Sequence, residues 1–384
     1  MILSSDQTKA LKILLSWIKE PNSSYITLGG YAGTGKTTLI ALLRKKVNEL
    51  LPNITVAFCA YTGKATRVLA KKFKKQIDMY KQDSVSTIHS LIYKPIVGAN
   101  EQIVGWEKRP EIKADLIIID EASMISRKIW TDLLSYKKSI IAVGDHGQLP
   151  PINDTFNLLK TPNIRLEEIH RQAKNDPIIK LSMVARKSGI IPSGRYSKRV
   201  VKYDLRDPES NNELYEQLNN YNNETFYLCG YNRTRVKINK YIRRNNGYFS
   251  DIPEAGDKII CLRNNHSKGI YNGMLGVINT ISQEDKTRYF ITADLDDVSY
   301  SGFVYIDNFN NLTSSNFTDK RKYTLDIDLF DYGYAMTVHK SQGSQSAKVV
   351  LLEESFKHAD DDYRKRWLYT AITRAESDLV IFGY

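Results

Sequence analysis

The sequence predicts an α/β fold with two parallel-sheet domains, each carrying a smaller β insertion. Three observations predict it: short apolar, β-branched runs recur between helical stretches, the runs fall into an early and a late group, and a segment rich in glycine and proline separates the groups. Buried strands that alternate with helices form a parallel sheet covered on both faces. With 384 residues, the chain is long enough for two domains that each bury a core.

The first domain opens with an amphipathic helix. The segment "MILSSDQTKALKILLSWIKE" has an apolar face interrupted by Lys and Asp at helical spacing, so it does not read as a signal peptide. The predicted strands "SYITLGG", "ITVAFCAYT", "DLIIIDEAS" and "SIIAVGDHGQ" follow. Two short apolar runs around Gly-Ala-Asn-Glu predict a β-hairpin that carries Trp106. We therefore assign residues 1–91 and 110–185 to the first domain and residues 92–109 to the hairpin.

The second domain follows the segment "ARKSGIIPSG", whose glycines and proline predict a linker. Its predicted strands are "TFYLCGYN", "KVVLLEE" and "DLVIFGY". A stretch of alternating strands and turns without helical period predicts an all-β insertion over residues 256–329, so the domain itself comprises residues 186–255 and 330–384. The basic runs "KKFKK" and "RYSKRVVK" are interpreted as solvated helix or loop faces, with phosphate contact as the alternative.

The composition restricts the class of protein. A formal charge of +12 and a pI near 9.3 favour a polyanionic partner, because Lys and Arg release counterions when they meet phosphates. Cys59, Cys229 and Cys261 lie far apart without a C-x-x-C pair, which favours buried thiols over a disulfide framework or a zinc site. No apolar run is long enough to cross a bilayer, so we expect an intracellular protein without a membrane partner.

The segment "LGGYAGTGKTTLIALL" predicts a nucleotide site. It contains "GYAGTGKT", which matches G-x-x-x-x-G-K-[ST], a loop whose backbone N–H groups hold phosphates. Lys36 would reach the β- and γ-phosphates and the Thr37 hydroxyl would bind Mg²⁺, so ATP and Mg²⁺ are the predicted cofactors. The alternative is a chance match in a glycine loop, and the loop alone does not define a reaction. The predicted binding residues here are Gly30, Ala32, Gly33, Thr34, Gly35, Lys36, Thr37 and Thr38.

The sequence favours hydrolysis of ATP over transfer of its γ-phosphoryl group to a small acceptor. Asp120 and Glu121 follow a predicted buried strand, where Asp120 can hold Mg²⁺ and Glu121 can activate water. Gln148, after another strand, can bind the attacking water or the γ-phosphate. Arg171 and Arg374 are candidate arginine fingers, with a surface salt bridge as the alternative for each. If both reached one ATP, its hydrolysis would change the angle between the domains.

Eight motifs in order resemble those of superfamily 1B (RecD-like) DNA helicases. They are "GYAGTGKT", "AYTGKAT", "STIHS", "IIIDEAS", "VGDHGQLPP", "EEIHRQ", "YAMTVHKSQGSQ" and "LYTAITRA", and the resemblance runs from Gln7 to Arg374. It implies two RecA-like motor domains, a hairpin "pin" in the first and a small β-barrel in the second. It also implies ATP-driven movement in the 5′-to-3′ direction, a monomer, Gln7 at the adenine edge and Gln345 near the ribose.

The same resemblance implies a single-stranded DNA track and junctions of single- and double-stranded DNA as substrates. Trp106 is predicted as the wedge at the terminal base pair, or else as a core tryptophan that anchors the hairpin. Proteins of replication or recombination are the implied partners, in the cytoplasm, or in the host cytoplasm if a phage encodes the chain. The predicted DNA contacts, which suit phosphate positioning, are Thr62, Lys64, His89, Asn232, Arg233, Thr337, His339 and Lys340.

Three other functions remain open from the sequence. A DNA-stimulated ATPase that translocates without unwinding should be indifferent to changes in the hairpin. A P-loop kinase should turn over ATP without DNA and require an acceptor, and the basic charge and the C-terminal motifs disfavour it. A non-catalytic nucleic-acid-binding module is disfavoured because Lys36, Asp120, Glu121 and both arginines are present.

Overall fold

A computed structural model describes residues 3–76, 80–97, 103–151, 156–169, 175–265, 267–296, 298–313, 324, 327–357 and 359–384. The chain divides into two compact units, the first formed by Met1–Ile96 and Gly105–Lys180 and the second mainly by Leu181–Tyr384. Within the described ranges, no helix combines the length and apolarity needed to cross a membrane.

The first unit alternates helices and strands as predicted. Its helices are α1 (Ser5–Lys19), α2 (Lys36–Leu50), α3 (Gly63–Gln76), α4 (Ile88–Ile92) and α5 (Arg127–Leu134), and α6 (Pro177–Ser188) spans the boundary between the units. Its strands are β1 (Tyr25–Gly30), β2 (Val56–Ala60), β3 (Ser84–Thr87), β4 (Tyr93–Val97), β5 (Ile103–Lys108), β6 (Leu116–Asp120), β7 (Ser139–Gly144) and β8 (Ile164–Leu166).

A parallel sheet forms the centre of this unit. Its described strands lie in the order β3-β2-β6-β7-β1-β8, and all of the recorded pairs are parallel. In β6, Leu116 and Ile118 pack into a core with α1 and α2, whereas Ile117 and Ile119 pack into a second core with α5. Successive strand residues point to opposite faces, so an uninterrupted apolar run is what a sheet buried on both faces requires. The strand ends that carry Gly30, Asp120 and Gly144 therefore share one edge.

The predicted hairpin is present as the two-stranded sheet of β4 and β5. Its base is closed by Tyr136, whose hydroxyl donates to the Ile92 carbonyl oxygen (2.9 Å) or to that of Arg109 (2.7 Å). The Arg109 N–H also donates to the Ile92 carbonyl oxygen at 2.8 Å. The two ends of the hairpin are thus fixed to each other and to the segment after α5. Residues 98–102, between the strands, lie outside the described residues.

The second unit contains another six-stranded sheet among its described residues, in the order β17-β11-β18-β19-β10-β9. The recorded pairs are parallel except for β9 with β10, which is antiparallel. Its strands are β9 (Gly194–Arg195), β10 (Val200–Asp204), β11 (Thr225–Cys229), β17 (Ala335–Thr337), β18 (Ser346–Leu352) and β19 (Ala375–Gly383); its helices are α7 (Pro208–Asn219), α8 (Asn232–Asn245) and α9 (Asp361–Ile372).

The all-β insertion is a curled antiparallel sheet. It contains β12 (Lys258–Cys261), β13 (Leu275–Gln283), β14 (Arg288–Leu295), β15 (Val298–Tyr305) and β16 (Phe330–Tyr332), in the order β15-β14-β13-β12-β16. A bridge between Val304 on one edge strand and Asp328, just before the other, brings the two edges together. This closure gives the barrel-like shape that was predicted. Strand β16 extends the sheet to Tyr332, three residues beyond the predicted end, because the apolar Phe330 pairs with Cys261.

Helix α8 fastens the inserted sheet to the second unit. Arg235, Asn239 and Arg243 are spaced four residues apart, so they share one helix face. Arg235 pairs with Asp331, and the Arg243 guanidinium donates to both carboxylate oxygens of Asp257 at 2.8 and 2.9 Å. All three side chains are buried, and removing one partner of such a pair would leave a buried charge at high cost.

One local prediction holds only in part and another is confirmed. In the run "RYSKRVVK", Arg195, Lys198 and Arg199 are exposed as predicted, but Val200 lies in the core and Lys202, in β10, forms a buried ion pair with Glu353. Lys202 departs from the prediction because a buried lysine is tolerated when a carboxylate neutralises it. The three cysteines are buried and free, as predicted, and burial raises the pKa of the Cys59 thiol to about 12.

Candidate nucleotide site and nucleic-acid surface

The glycine-rich loop joins β1 to α2 and needs its glycines. Gly33 (φ 77°) and Gly35 (φ 73°) adopt the left-handed conformation, and Gly35 is the N-cap of α2. At Gly30, an added Cβ would lie 2.7 Å from the Thr34 hydroxyl oxygen. Thr34 is buried and donates to the Tyr31 carbonyl at 2.8 Å. Ala32 lies in the turn before Gly33, and Thr38 lies in the first turn of the helix.

Lysine, hydroxyl and carboxylate meet beside this loop. The Lys36 ammonium donates to the carbonyl oxygens of Gly30 (2.6 Å) and Tyr31 (3.1 Å). Lys36, Thr37 and Asp120 line one cavity together with apolar side chains. The group combines a cation for phosphate with two oxygen donors of the kind that Mg²⁺ prefers.

Gln7 is attached to the loop. It is fully buried, and with Ser4 it forms a capping box at the start of α1. Its side-chain amide N–H group lies 3.2 Å from the Thr34 carbonyl oxygen and 3.3 Å from that of Gly35. The structure therefore places Gln7 next to the nucleotide loop, and its contact with adenine stays a prediction.

The acidic pair lies at the end of β6 in an unusual backbone conformation. Glu121 has φ 53° and ψ 39°, a region that costs an L-residue about 1–3 kcal/mol. Its N–H donates to the Asp120 carboxylate at 2.9 Å, and the turn packs closely on β7, because a Cβ at Gly144 would lie 3.0 Å from the Ala122 nitrogen. Such strain concentrates at functional sites.

The loop after β7 also packs on the glycine-rich loop. The His146 ring lies 4.1 Å from the ring of Tyr31, centroid to centroid. Gln148 is buried, and its amide nitrogen lies 3.4 Å from the Asp145 carboxylate. Sequence reasoning missed His146, because nothing in the pattern distinguishes it from an ordinary loop histidine.

Arg374 follows α9 in the second unit and is not a surface salt bridge. It is buried, and its guanidinium donates to the Thr370 carbonyl (3.0 Å), the Ser344 carbonyl (3.1 Å) and the Thr373 hydroxyl (3.2 Å). Gln345 is exposed beside it, with its amide nitrogen 3.4 Å from the Thr373 carbonyl. Arg171 lies outside the described residues.

In the first unit, the predicted DNA residues gather at strand ends. The Thr62 hydroxyl accepts a hydrogen bond from the Ala65 N–H at 3.1 Å, and Lys64 lies in the first turn of α3. The His89 ring lies 6.1 Å from that of Tyr61. Trp106 is in β5 with 42% of its surface exposed, so it does not belong to the core.

In the second unit, the motif after β17 is partly desolvated. Burial lowers the pKa of His339 to about 4 and that of Lys340 to about 8. The Lys340 ammonium donates to the Asn272 side chain, and its backbone N–H donates to the Thr337 hydroxyl at 3.3 Å. His339 is therefore neutral near pH 7, and Lys340 is charged below about pH 8.

The motif at the start of α8 carries two more predicted DNA residues. The Asn232 amide donates to the Leu312 carbonyl at 3.0 Å. Arg233 is exposed, with its guanidinium carbon 5.0 Å from the centroid of the Tyr231 ring. Phe356 and Tyr363, which sequence reasoning missed, lie next to this motif.

Two six-stranded α/β units, one with a glycine-rich phosphate loop and an acidic strand end, define a two-domain protein of the P-loop nucleotide-binding class. Residues 2–198 match the family model described as "AAA domain", and residues 332–382 match "UvrD-like helicase C-terminal domain". The chain belongs to this AAA-domain family.

Several named proteins are similar in sequence. The chain is 28% identical to the RecBCD enzyme subunit RecD of Buchnera aphidicola (subsp. Schizaphis graminum), with 94% of this chain and 70% of that protein covered. It is 25% identical to the ATP-dependent RecD2 DNA helicase of Deinococcus radiodurans, over 91% of this chain and 46% of that protein. With the ATP-dependent DNA helicase dda of phage T4 it shares 32% identity over 40% of this chain and 34% of that protein. The aligned regions thus cover less than half the length of two of these relatives.

Solved structures support the fold. The Bacteroides Pif1 helicase bound to single-stranded DNA matches with a TM-score of 0.57 and 19% identity, covering 99% of this chain and 92% of that one. The same protein with ADP-AlF3 and single-stranded DNA matches equally well. The predicted fold class, two RecA-like parallel-sheet domains with β insertions, is confirmed.

Proposed function

We propose that the protein is an ATP-dependent DNA helicase that moves 5′ to 3′ on single-stranded DNA and separates duplex DNA. The observation that carries the proposal is the cavity lined by Lys36, Thr37 and Asp120 beside the glycine-rich loop. Its relatives RecD2 and dda are named ATP-dependent DNA helicases, which favours a motor over other uses of a P-loop. Direction follows from the family.

ATP would bind with its phosphates at the loop, Lys36 reaching the β- and γ-phosphates. Thr37 and Asp120 would hold Mg²⁺, which neutralises charge on the phosphate oxygens. Glu121 would take a proton from the attacking water and Gln148 would orient that water. Arg171 and Arg374 would stabilise the charge that develops on the γ-phosphoryl group, so that hydrolysis is coupled to domain movement.

The DNA strand would run over both units. Hydroxyl, amide and cationic side chains position phosphates without reading sequence, as a motor on any DNA requires. Because His339 is neutral near pH 7, it would act by hydrogen bonding or stacking and not by charge. The proposed contacts are Thr62, Lys64, His89, Asn232, Arg233, Thr337, His339 and Lys340.

We assign strand separation to the hairpin, residues 92–109. A wedge must not yield when the duplex presses on it, and the hydrogen bonds from Tyr136 and Arg109 tie both hairpin ends together. Trp106 presents an exposed aromatic surface on β5. An exposed ring can stack on a terminal base regardless of sequence.

The test is strand separation of two partial duplexes that differ only in bearing a 5′ or a 3′ single-stranded tail, in ATP and Mg²⁺. ATP hydrolysis is measured in parallel with and without single-stranded DNA. We expect unwinding of the 5′-tailed duplex and DNA-stimulated hydrolysis. Stimulated hydrolysis without unwinding would instead identify a translocase that remodels nucleoprotein, and hydrolysis indifferent to DNA would contradict a motor.

Trp106→Ala tests the hairpin separately. We expect unwinding to slow about fivefold or more, which corresponds to losing one base stack, while single-strand-stimulated hydrolysis is nearly unchanged. Ile96→Ala is the matched control, since Ile96 is an exposed apolar residue on the other strand of the hairpin. Equal loss of both activities in Trp106→Ala would show that the ring only stabilises the domain.

We further propose that the enzyme acts as a monomer in the cytoplasm, with proteins of replication or recombination as partners. Resemblance to RecD, a subunit of the RecBCD enzyme, supports partners of this kind. Sedimentation of the protein with and without a forked DNA tests the monomer: a mass that doubles on DNA would contradict it.

A further inference from the structure

An aromatic pocket lies in the second unit. Its volume is about 780 Å³, enough for a nucleotide, and it opens to solvent. Three partly exposed rings, those of Tyr231, Phe356 and Tyr363, form its walls. The Phe356 ring lies 5.3 Å from each of the other two, at 47° to Tyr231 and 83° to Tyr363.

The chain builds this pocket from two strand ends. Strands β11 and β18 pair in parallel, with Leu228 opposite Leu351, so the segments that follow both strands emerge at the same edge. Glu354 then accepts hydrogen bonds from the N–H groups of Gly230 (2.6 Å) and Tyr231 (3.1 Å), and the Tyr231 hydroxyl donates to the Ser355 carbonyl at 3.0 Å.

Gly230 is required by the pocket. An added Cβ would lie 2.7 Å from the Phe356 ring, so any other residue would displace that ring. Phe356 also packs edge-on against the buried Trp367, 5.2 Å away. The walls are therefore held in place by packing as well as by hydrogen bonds.

Charge identifies the kind of ligand. Arg233 and Lys357 line the pocket and are exposed, whereas the carboxylate among its described lining residues, that of Asp360, already accepts the Tyr363 N–H at 2.7 Å as the cap of α9. Aromatic faces bind bases of any sequence, and cations beside them bind the connecting phosphates. The Tyr363 ring also lies 6.1 Å from the His339 ring, so the pocket joins the two proposed DNA motifs of this unit.

We infer that this pocket holds an unpaired base of the translocating DNA strand, stacked on Phe356 and Tyr363, with Arg233 and Lys357 on the flanking phosphates. The inference rests on the proposed function, and it adds a base-stacking site to a track that otherwise contacts the backbone. A stacked base gives the second unit a sequence-independent grip on the strand.

An abasic scan tests the stacking. A single abasic nucleotide is moved along a dT oligonucleotide, and affinity is measured by fluorescence anisotropy without ATP. At one position the wild type should bind about 5- to 150-fold more weakly, as expected for one lost stack. Tyr363→Leu should bind the intact oligonucleotide more weakly than the wild type does, by a similar factor. In this variant, an abasic nucleotide at the sensitive position should cause no further loss of affinity. Tyr215→Leu is the control, since Tyr215 is an exposed tyrosine of the same unit on α7.

Lys357→Ala provides a second test that does not depend on the folding of Tyr363→Leu, because the Lys357 side chain is at the surface. It should lower the slope of log affinity against log salt by about 0.7, the value for one phosphate of a single strand. A flat abasic scan in the wild type, or an unchanged salt slope, would overturn the inference. So would displacement of the oligonucleotide from this pocket by a mononucleotide alone, which would assign the pocket to free nucleotides.

The failure of this inference is distinguishable from failure of the proposed function. A protein that binds no single-stranded DNA and whose ATP hydrolysis is indifferent to it would refute the motor. A protein with DNA-stimulated hydrolysis and a flat abasic scan would refute the pocket alone.

Discussion

Two strand–loop–helix segments, one in each six-stranded sheet, differ in the anion that can lie near the backbone N–H groups at the start of the helix. In the first unit, β1 leads through the glycine-rich loop to α2, and in the second, β11 leads through Gly230 and Tyr231 to α8. Each helix begins with backbone N–H groups that favour a nearby anion. In the second segment the anion is part of the chain: Glu354 accepts from Gly230, Tyr231 and the Thr234 hydroxyl, the last at 2.5 Å.

The first loop is longer, contains two left-handed glycines and opens beside the cavity of Lys36, Thr37 and Asp120. A similar segment thus serves either as a ligand site or as a structural joint, depending on where the negative charge comes from. We therefore expect phosphate to bind at the first segment, and we expect the Glu354 carboxylate of the second segment to contribute to the free energy of unfolding.

Substitutions of Glu121 and Glu354 test whether the first segment serves catalysis and the second serves stability. We expect the largest effect from Glu121, on ATP hydrolysis. Glu121→Gln removes the proposed base and keeps the shape, so hydrolysis with single-stranded DNA should fall about 10²- to 10⁴-fold. Binding of ATP and DNA should remain, which a fluorescent ATP analogue and anisotropy would measure. Turnover near that of the wild type would exclude Glu121 as the base.

Lys36→Ala should have the next largest effect. Loss of one cation aimed at the transferred phosphoryl group costs about 10²- to 10³-fold in turnover. Lys46→Ala is the matched control, because Lys46 lies on the same helix with a surface partner, Glu49. Phosphate release would measure both variants, and thermal melts would check their folding. Substantial turnover in Lys36→Ala would remove the loop from the mechanism.

Sequence reasoning located both segments, but it missed the aromatic pocket at the second one for a physical reason. The glycine loop and the strand ending in Asp120 are local patterns, in which spacing alone specifies the backbone. The aromatic pocket depends on the pairing of β11 with β18, which brings Tyr231 to Phe356 although they are far apart in the sequence. Strand β10 was missed because Lys202 looked solvated, and only its ion pair with Glu353 explains its burial. The all-β insertion was predicted from strand and turn alternation and its barrel shape was implied by the family resemblance, but its end depended on a pairing that sequence does not display.

Glu354→Ala should have a smaller effect of another kind. It leaves the N–H groups of Gly230 and Tyr231 without their acceptor, which should lower the free energy of unfolding by about 1–3 kcal/mol. Hydrolysis per folded molecule should change much less than in Glu121→Gln. Urea denaturation measures the effect, with Glu376→Ala, an exposed glutamate of the same unit, as control. Equal stability of both variants would show that Glu354 does not anchor this segment.

The smallest effect concerns pH and the second unit's lysine. Burial lowers the pKa of Lys340 to about 8, so its ammonium is charged below that pH and neutral above it. If it contacts DNA phosphate, affinity for a dT oligonucleotide should fall a few-fold as pH rises from about 7 to about 9, at constant ionic strength. His339 does not interfere, because its pKa of about 4 keeps it neutral throughout.

Lys340→Arg provides the comparison for that titration. A guanidinium stays charged over the whole range, so the fall in affinity should vanish in this variant. Desolvation would then determine the pH at which Lys340, the cation of the second unit, loses its charge. Lys36 in the first unit is instead held in position by the carbonyl oxygens of its own loop. The same pH dependence in Lys340→Arg and wild type would assign the titration to another group and remove Lys340 from the DNA track.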